Sequence, residues 1–277
     1  MSTTPANWHP DPMGRHQLRY WDGAKWTEHV SNNGATAIDH LDGAQPVTMS
    51  TTAQQVQTQI QGDGWRGAGL SAAGTAGGGT LWTEPIIVVN QKAKVLEVIS
   101  QYAVFDGAGR QIASVNEVGQ STAKKVLRVV SSLDQFMTHK LEIRNATGQV
   151  DLILTRPRKV FKSTVVVENG AGQEVGRIVQ ENMIGKIHFA LQSGGQTLGA
   201  IKAENWRAWN FRIEDATGNE VARITKTFEG VLKTMFTTAD NYVLQIHRQL
   251  PQPLLALVVA SALSVDTALK QDARGFG

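Results

Sequence analysis

The chain has 277 residues, with 27 Lys/Arg against 24 Asp/Glu, 41% hydrophobic and 18% charged residues. That composition supports one sizeable core plus a smaller unit, at about 100–200 residues per domain. Cysteine is absent, which excludes disulfides, thiolate metal sites and thiol catalysis together.

Charge is uneven. Through Trp82 there are four basic residues (Arg15, Arg19, Lys25, Arg66) against six acidic ones, and the remainder carries 23 basic against 18 acidic. A basic second half suits phosphates or anionic headgroups. The N-terminal residues have neither a positive n-region nor an apolar h-region, and Ser2 stands where myristoylation needs glycine. The chain end offers no prenylation motif, so the expected compartment is the cytoplasm.

Five of the seven tryptophans lie in the first third: Trp8, Trp21, Trp26, Trp65 and Trp82. Residues 1–33 read as a small Trp-rich β module. Asp22-Gly23 between two aromatic runs is a hairpin signal, because glycine supplies positive φ. Trp8, Pro10, Tyr20, Trp21 and Trp26 are the expected aromatic core. A unit below about 40 residues is marginal alone, so a protein partner, of unknown identity, is expected for it.

Residues 34–79 turn to Ala, Gly, Ser, Thr and Gln, and end in a Gly-rich run. With few residues to bury, this reads as a flexible linker in which Gln54–Gln61 forms at most a transient helix.

From Leu81 a phrase repeats: Val104-Phe-Asp-Gly-Ala-Gly-Arg-Gln-Ile112, Ile143-Arg-Asn-Ala-Thr-Gly-Gln-Val150, Val167-Glu-Asn-Gly-Ala-Gly-Gln-Glu-Val175 and Ile213-Glu-Asp-Ala-Thr-Gly-Asn-Glu-Val221. A weaker copy spans Leu191 to Leu198. Each is an alternating run, an Asx-x-x-Gly turn and a second alternating run, the sequence form of a β-hairpin. Serial hairpins predict an all-β sandwich or barrel, and closure is favoured because it removes edge strands. This domain is placed at 80–270, with a tail at 271–277.

Two stretches break the strand pattern. Ser121–Leu133 sets Val126, Val129, Val130 and Leu133 at helical spacing. Leu254–Leu269 is apolar all round through Val265, and then comes Asp266. A spanning helix needs about 20 apolar residues, and an uncharged run of about 10–14 fits a buried core helix. No aromatic belt or basic cluster brackets it. Leu254, Leu255, Leu257, Val258, Val259 and Leu263 are therefore expected inside the barrel, where a helix apolar all round finds its enclosure.

Ile87-Val-Val-Asn-Gln-Lys92 with Leu96-Glu97, Tyr102-Ala-Val-Phe-Asp106 and Leu152-Ile-Leu-Thr-Arg-Pro157 resemble the phospholipid scramblase family. So do Lys226-Thr-Phe-Glu-Gly-Val-Leu-Lys233 and Ala239-Asp-Asn-Tyr242 before the apolar helix. The resemblance covers roughly residues 80–270. Through the related LURP-one-like and Tubby C-terminal domains, it implies a twelve-stranded antiparallel Tubby-like β-barrel around a central hydrophobic helix. Trp8-x-Pro-Asp-Pro, Arg19-Tyr-Trp-Asp-Gly and Trp26-Thr resemble a short bacterial domain of unknown function.

Animal members of that family carry an acidic calcium segment before the helix and palmitoylated cysteines. Here Thr238 replaces the first acid, Gln249 stands near the segment's end, and Asp240 alone remains as a vestigial ligand. Calcium takes six to eight oxygens with several carboxylates, so no cofactor, calcium included, is expected.

Arg156, Arg158, Lys159 and Lys162 form a basic run with Val160 and Phe161 interleaved. They read as lipid-binding residues, since juxtamembrane cations contribute about 1 kcal/mol each at an anionic surface. The alternative is a solvated connection between strands. Lys124, Lys125 and Arg128 share one side of the shorter helix and read either as membrane contacts or as a solvated face. Trp206 and Trp209 read as rim packing or a membrane-facing tip.

The histidines (His9, His16, His29, His40, His139, His188, His247) show no metal-ligand spacing, and no G-x-S-x-G or P-loop occurs. A non-enzyme is expected, with no nucleic-acid partner. The leading expectation is a scramblase-like, lipid-interacting protein, peripheral on the inner face of the plasma membrane and held by anionic phospholipid. The alternatives are a soluble Tubby-like scaffold or adaptor using the Trp-rich module, and an integral scramblase with its helix inserted.

Overall fold

The computed structural model describes residues 5–12, 16–23, 26–32, 34–38, 52–63, 67–71, 77–91, 101–118, 138–157, 163–182, 188–204, 210–227 and 241–269. The chain divides into two compact units, Met1–Gln45 and Pro46–Gly277.

The first unit is a four-stranded antiparallel sheet in the order β1-β2-β3-β4, formed by Asn7–Pro10, Leu18–Trp21, Trp26–Asn32 and Ala35–Ile38. Gly23, at φ 95°, lies between β2 and β3. The aromatic residues differ from expectation. Trp8, Tyr20, Trp21 and Trp26 remain partly exposed, paired edge-to-face as Trp8–Tyr20 at 5.4 Å and Trp21–Trp26 at 5.3 Å. The buried centre is instead Arg19 and Val30, which pair across β2 and β3 and are both fully inaccessible. Arg19 Nε donates to Asp11 Oδ1 at 2.8 Å with both side chains buried, and Arg19 Nη1 donates to the Thr27 carbonyl at 3.0 Å. A single layer of short strands cannot bury large rings on both faces. It can bury a charge that is paired and hydrogen-bonded.

The second unit is a closed antiparallel barrel of twelve strands. They are β5 Ile86–Gln91, β6 Gln101–Asp106, β7 Gln111–Val118, β8 His139–Asn145, β9 Val150–Arg156 and β10 Thr164–Asn169. Then follow β11 Glu174–Gln180, β12 His188–Ser193, β13 Gln196–Ala203, β14 Asn210–Asp215, β15 Glu220–Thr227 and β16 Asn241–Ile246. Every strand pairs with its neighbours in sequence, and β16 closes the ring on β5 with Val243 opposite Val88.

The repeated phrase builds four like turns. In the first, Asp106 Oδ1 accepts from the N–H groups of Ala108 and Arg110, while the Gly109 N–H donates to the Asp106 carbonyl. Asn145, Asn169 and Asp215 repeat both side-chain bonds, and each turn ends in a glycine with φ between 77° and 85°. A register shift accompanies each turn, as in a three-residue hairpin loop ending in a glycine bulge. The weaker copy becomes a two-residue turn at Gly194-Gly195, both at positive φ. All five tight turns lie at one end of the barrel, here the turn end.

The C-terminal helix, α2 (Leu254–Leu269), lies within the barrel against β9, β10, β11 and β16. Leu257, Val258 and Ala260 are fully buried, and Leu254, Leu255, Val259 and Leu263 are buried with them. Each of these leucines and valines contributes roughly 1.5–3 kcal/mol on leaving water. At about 1.5 Å per residue the helix is roughly 24 Å long, comparable with strands of 6–8 residues. At Gly176 on β11 a Cβ would lie 2.3 Å from the Gln192 carbonyl oxygen on β12 and 3.2 Å from Leu257 Cδ2. Among the described residues no helix is long and apolar enough to cross a membrane.

The segment expected to be linker carries regular structure. It begins with β4 and contains an earlier helix, α1 (Ala53–Gln61), with a capping box between Thr52 and Gln55. Val56 and Ile60 are fully buried against Ile86, Val88, Ala103, Phe105 and Val243 on the outer face of β16-β5-β6. Ala68 and Leu70 complete this patch, tied by their N–H groups to the carbonyls of Gln59 and Ile60. Four well-spaced apolar side chains suffice because the barrel supplies the other half of the surface. The helix expected at Ser121–Leu133 lies outside the described residues.

Candidate functional site

Strand parity assigns the interior. Val115, Leu141, Leu154 and Ile178 belong to the core around α2, so Glu117, His139, Arg156 and Gln180, each two residues further toward the other barrel end, face inward as well. Tyr102, Ser163 and Tyr242 share that level, as do Phe189, Ala203 and Phe211 on the opposite arc. All are at least nine-tenths buried. The barrel thus has an apolar turn end around the start of α2 and, at the far end, an inward ring that is polar over half its circumference.

His139 Nδ1 and Glu117 Oε1 are 2.7 Å apart, with side chains 8% and 1% exposed. His139 stands opposite Arg156 in the β8–β9 register. Across β10 and β11, the Ser163 N–H donates to Gln180 Oε1 at 3.0 Å, and the Gln180 N–H donates to the Ser163 carbonyl at 2.9 Å. Ionic side chains survive burial when they are paired in this way.

Arg156 therefore differs from the sequence expectation of a surface cation: it is 5% exposed and directed into the barrel. Arg158, Lys159, Lys162, Lys124, Lys125 and Arg128 lie outside the described residues, as do Asp240, Trp206 and Trp209. The strand ends that flank these segments (Val118, His139, Arg156, Thr164, Ala203, Asn210, Thr227 and Asn241) all belong to the far end. Sequence reading missed Glu117, His139 and Gln180. The available signal was parity, two residues beyond an inward Val115, Leu141 or Ile178.

Among the described residues no group of three or more His, Asp or Glu could hold a metal ion. The calcium donor set does not fit either, with Asp240 as the sole carboxylate between Thr238 and Gln249.

At the turn end, burial pushes the Asp151 carboxyl up from its ordinary value, opposed by Asn145 and the Trp82 indole. The partly buried Asp215 is held at about 2, chiefly by the Thr217 hydroxyl and further by the N–H groups of Asn219 and Thr217 and by Arg248.

Fold and interior define a class: a closed twelve-stranded antiparallel barrel wrapped on its own C-terminal apolar helix. The scramblase family model matches residues 72–269, and the chain belongs to that family. Residues 6–38 match a second model, a protein family of unknown function designated DUF2510. The chain is similar to "Altered inheritance rate of mitochondria protein 25" of Saccharomyces cerevisiae, 22% identical over 234 residues, covering 68% of this chain and 71% of the yeast protein. No solved structure matches. Family and barrel together suggest a lipid-related, non-enzymatic protein.

Proposed function

We infer that this is a membrane-associated, lipid-interacting protein that meets an anionic phospholipid surface from outside, peripheral on the cytoplasmic face of the plasma membrane. Scramblase-family membership supports the lipid-related part. The observation that carries the peripheral part is the burial of α2: with Leu257 and Val258 fully inaccessible, the apolar helix is spent on the barrel core. Contact then falls to basic side chains, of which the sequence carries two runs, Arg158-Lys159 with Lys162, and Lys124-Lys125 with Arg128. Such contacts are electrostatic and weaken with salt. Any lipid scrambling would proceed without a calcium switch, for want of carboxylates. The Trp-rich module, with its half-exposed ring pairs, is the part suited to a protein partner.

The test is sedimentation with phosphatidylserine-containing vesicles. A double charge reversal, Arg158→Glu with Lys159→Glu, should weaken binding several-fold, and added salt should weaken the wild type likewise. Unchanged binding would overturn the reading. Carbonate extraction should release the protein, whereas retention would mean that α2 leaves its barrel and inserts. A lipid-flip assay with and without calcium tests scrambling itself, and a calcium-dependent rate would contradict the donor-set argument.

A further inference from the structure

A cavity of about 400 Å³ opens at the turn end of the barrel, between the lead-in to β5, the connection after β16 and the first turn of α2. Its size falls in the range of small-molecule pockets. Pro85, Ile246, Leu250 and Leu255 give it an apolar wall, and Trp82 adds an indole.

The polar lining is unbalanced. Arg248 Nη2 donates to Asp215 at 2.8 Å and His247 Nε2 lies 3.2 Å from Glu220, so both basic side chains have acidic partners beyond the cavity wall. Glu84 does not have the converse. It is 2% exposed; Oε1 accepts from the Gly79 N–H at 2.6 Å, and Oε2 is buried with no hydrogen-bond partner. A buried carboxylate oxygen without a donor is unfavourable, and the group that offsets it best is a cation. Its cover is glycine backbone: a Cβ at Gly77 would come within 2.7 Å of Oε2.

We propose that this cavity binds an organic ammonium group carried on an apolar body, with the ammonium on Glu84 Oε2 and the Trp82 ring and the body against Leu250 and Leu255. An indole is the preferred aromatic face for such a cation. The site lies at the opposite barrel end from the strand ends that flank the basic segments, so it stands apart from the membrane reading and its failure leaves that reading untouched.

The test is calorimetric titration of the full chain with three probes of equal length: n-hexylammonium, hexanol and hexanoate. Hexylammonium should bind saturably and the other two should not. Glu84→Gln should weaken it roughly tenfold or more, the order expected for a lost charge-assisted bond. Arg248→Gln should tighten it by a few-fold, because it removes a like charge and frees Asp215. The opposite signs keep the test sharp should the Glu84 variant misfold, which near-ultraviolet circular dichroism detects. Equal binding of hexanol or hexanoate, or no binding of hexylammonium, overturns the proposal, as does a Glu84→Gln variant of unchanged affinity. A competition arm identifies the source. Displacement by phosphatidylethanolamine vesicles assigns the ammonium to a lipid headgroup, and displacement by free choline or spermidine alone assigns it to a soluble amine.

Discussion

The two units solve the same burial problem with opposite materials. The barrel encloses an apolar helix and leaves its polar groups at the ends. The Trp-rich sheet leaves its rings at the surface and buries an ion pair, Asp11–Arg19. The difference is one of layers. A closed barrel has an inside, whereas a single sheet of four- to seven-residue strands has none, and a long side chain laid along its face is the only filler available. Large apolar area therefore stabilises one unit and a specific hydrogen-bonded pair holds the other.

The comparison breaks if the barrel tolerates charge at its axis. Leu257→Asp should abolish the barrel's cooperative unfolding transition, a loss above about 5 kcal/mol from an unpaired charge replacing a buried apolar side chain. Urea denaturation followed by far-ultraviolet circular dichroism reads this. Near-wild-type stability would mean that α2 is not the core.

In the sheet, Arg19→Met alone should cost about 3–5 kcal/mol by stranding Asp11, and joining it to Asp11→Leu should restore most of that. The indole resonances of Trp8, Trp21 and Trp26 in the full-length protein report this unit. A double variant as unstable as the single would show that the pair is more than a neutralised charge.

A smaller effect separates two glycines with the same backbone conformation. Gly148 (φ 85°) faces open space, so Gly148→Ala should cost only the left-handed backbone strain, about 1–2 kcal/mol. At Gly109 (φ 82°) a Cβ would also lie 2.6 Å from Ala53 Cα at the start of α1. Gly109→Ala should add loss of α1 docking, about 2–3 kcal/mol in total. Faster amide exchange at Val56 and Ile60 in the Gly109 variant alone is the expected result.

The smallest effect is that of pH. Asp215 has a folded-state pKa of about 2, below its ordinary 3.8. Its contribution is thus fully present above pH 4 and is lost as pH falls through 2. Wild type should melt above Asp215→Asn at pH 5, and the gap should narrow toward pH 2. A gap independent of pH would mean that the turn's hydrogen bonds, rather than the charge, carry the difference.

Much of the barrel was legible residue by residue. Asp106, Asn145, Asn169 and Asp215, each three places before a glycine, announce turns whose side-chain bonds are local and close with no help from distant residues. The site was less so. Arg156 reads as a surface cation beside Arg158 and Lys159, although its alternation with Leu152 and Leu154 turns it inward, where it lies beside His139 in the β8–β9 register. Glu84 looks unremarkable in sequence, because the cavity beside it is assembled from two stretches far apart in the chain, Trp82–Pro85 and Ile246–Leu255.

By itself, then, the sequence determined the hairpins and the length and all-round apolarity of α2, since both follow from chemistry within a few residues. Tertiary structure alone decided the closure of β16 on β5, the docking of α1 from a segment poor in apolar residues, and the burial of Arg19. Each of those depends on which surfaces meet across the chain, and partner surfaces far apart in sequence leave no local pattern behind.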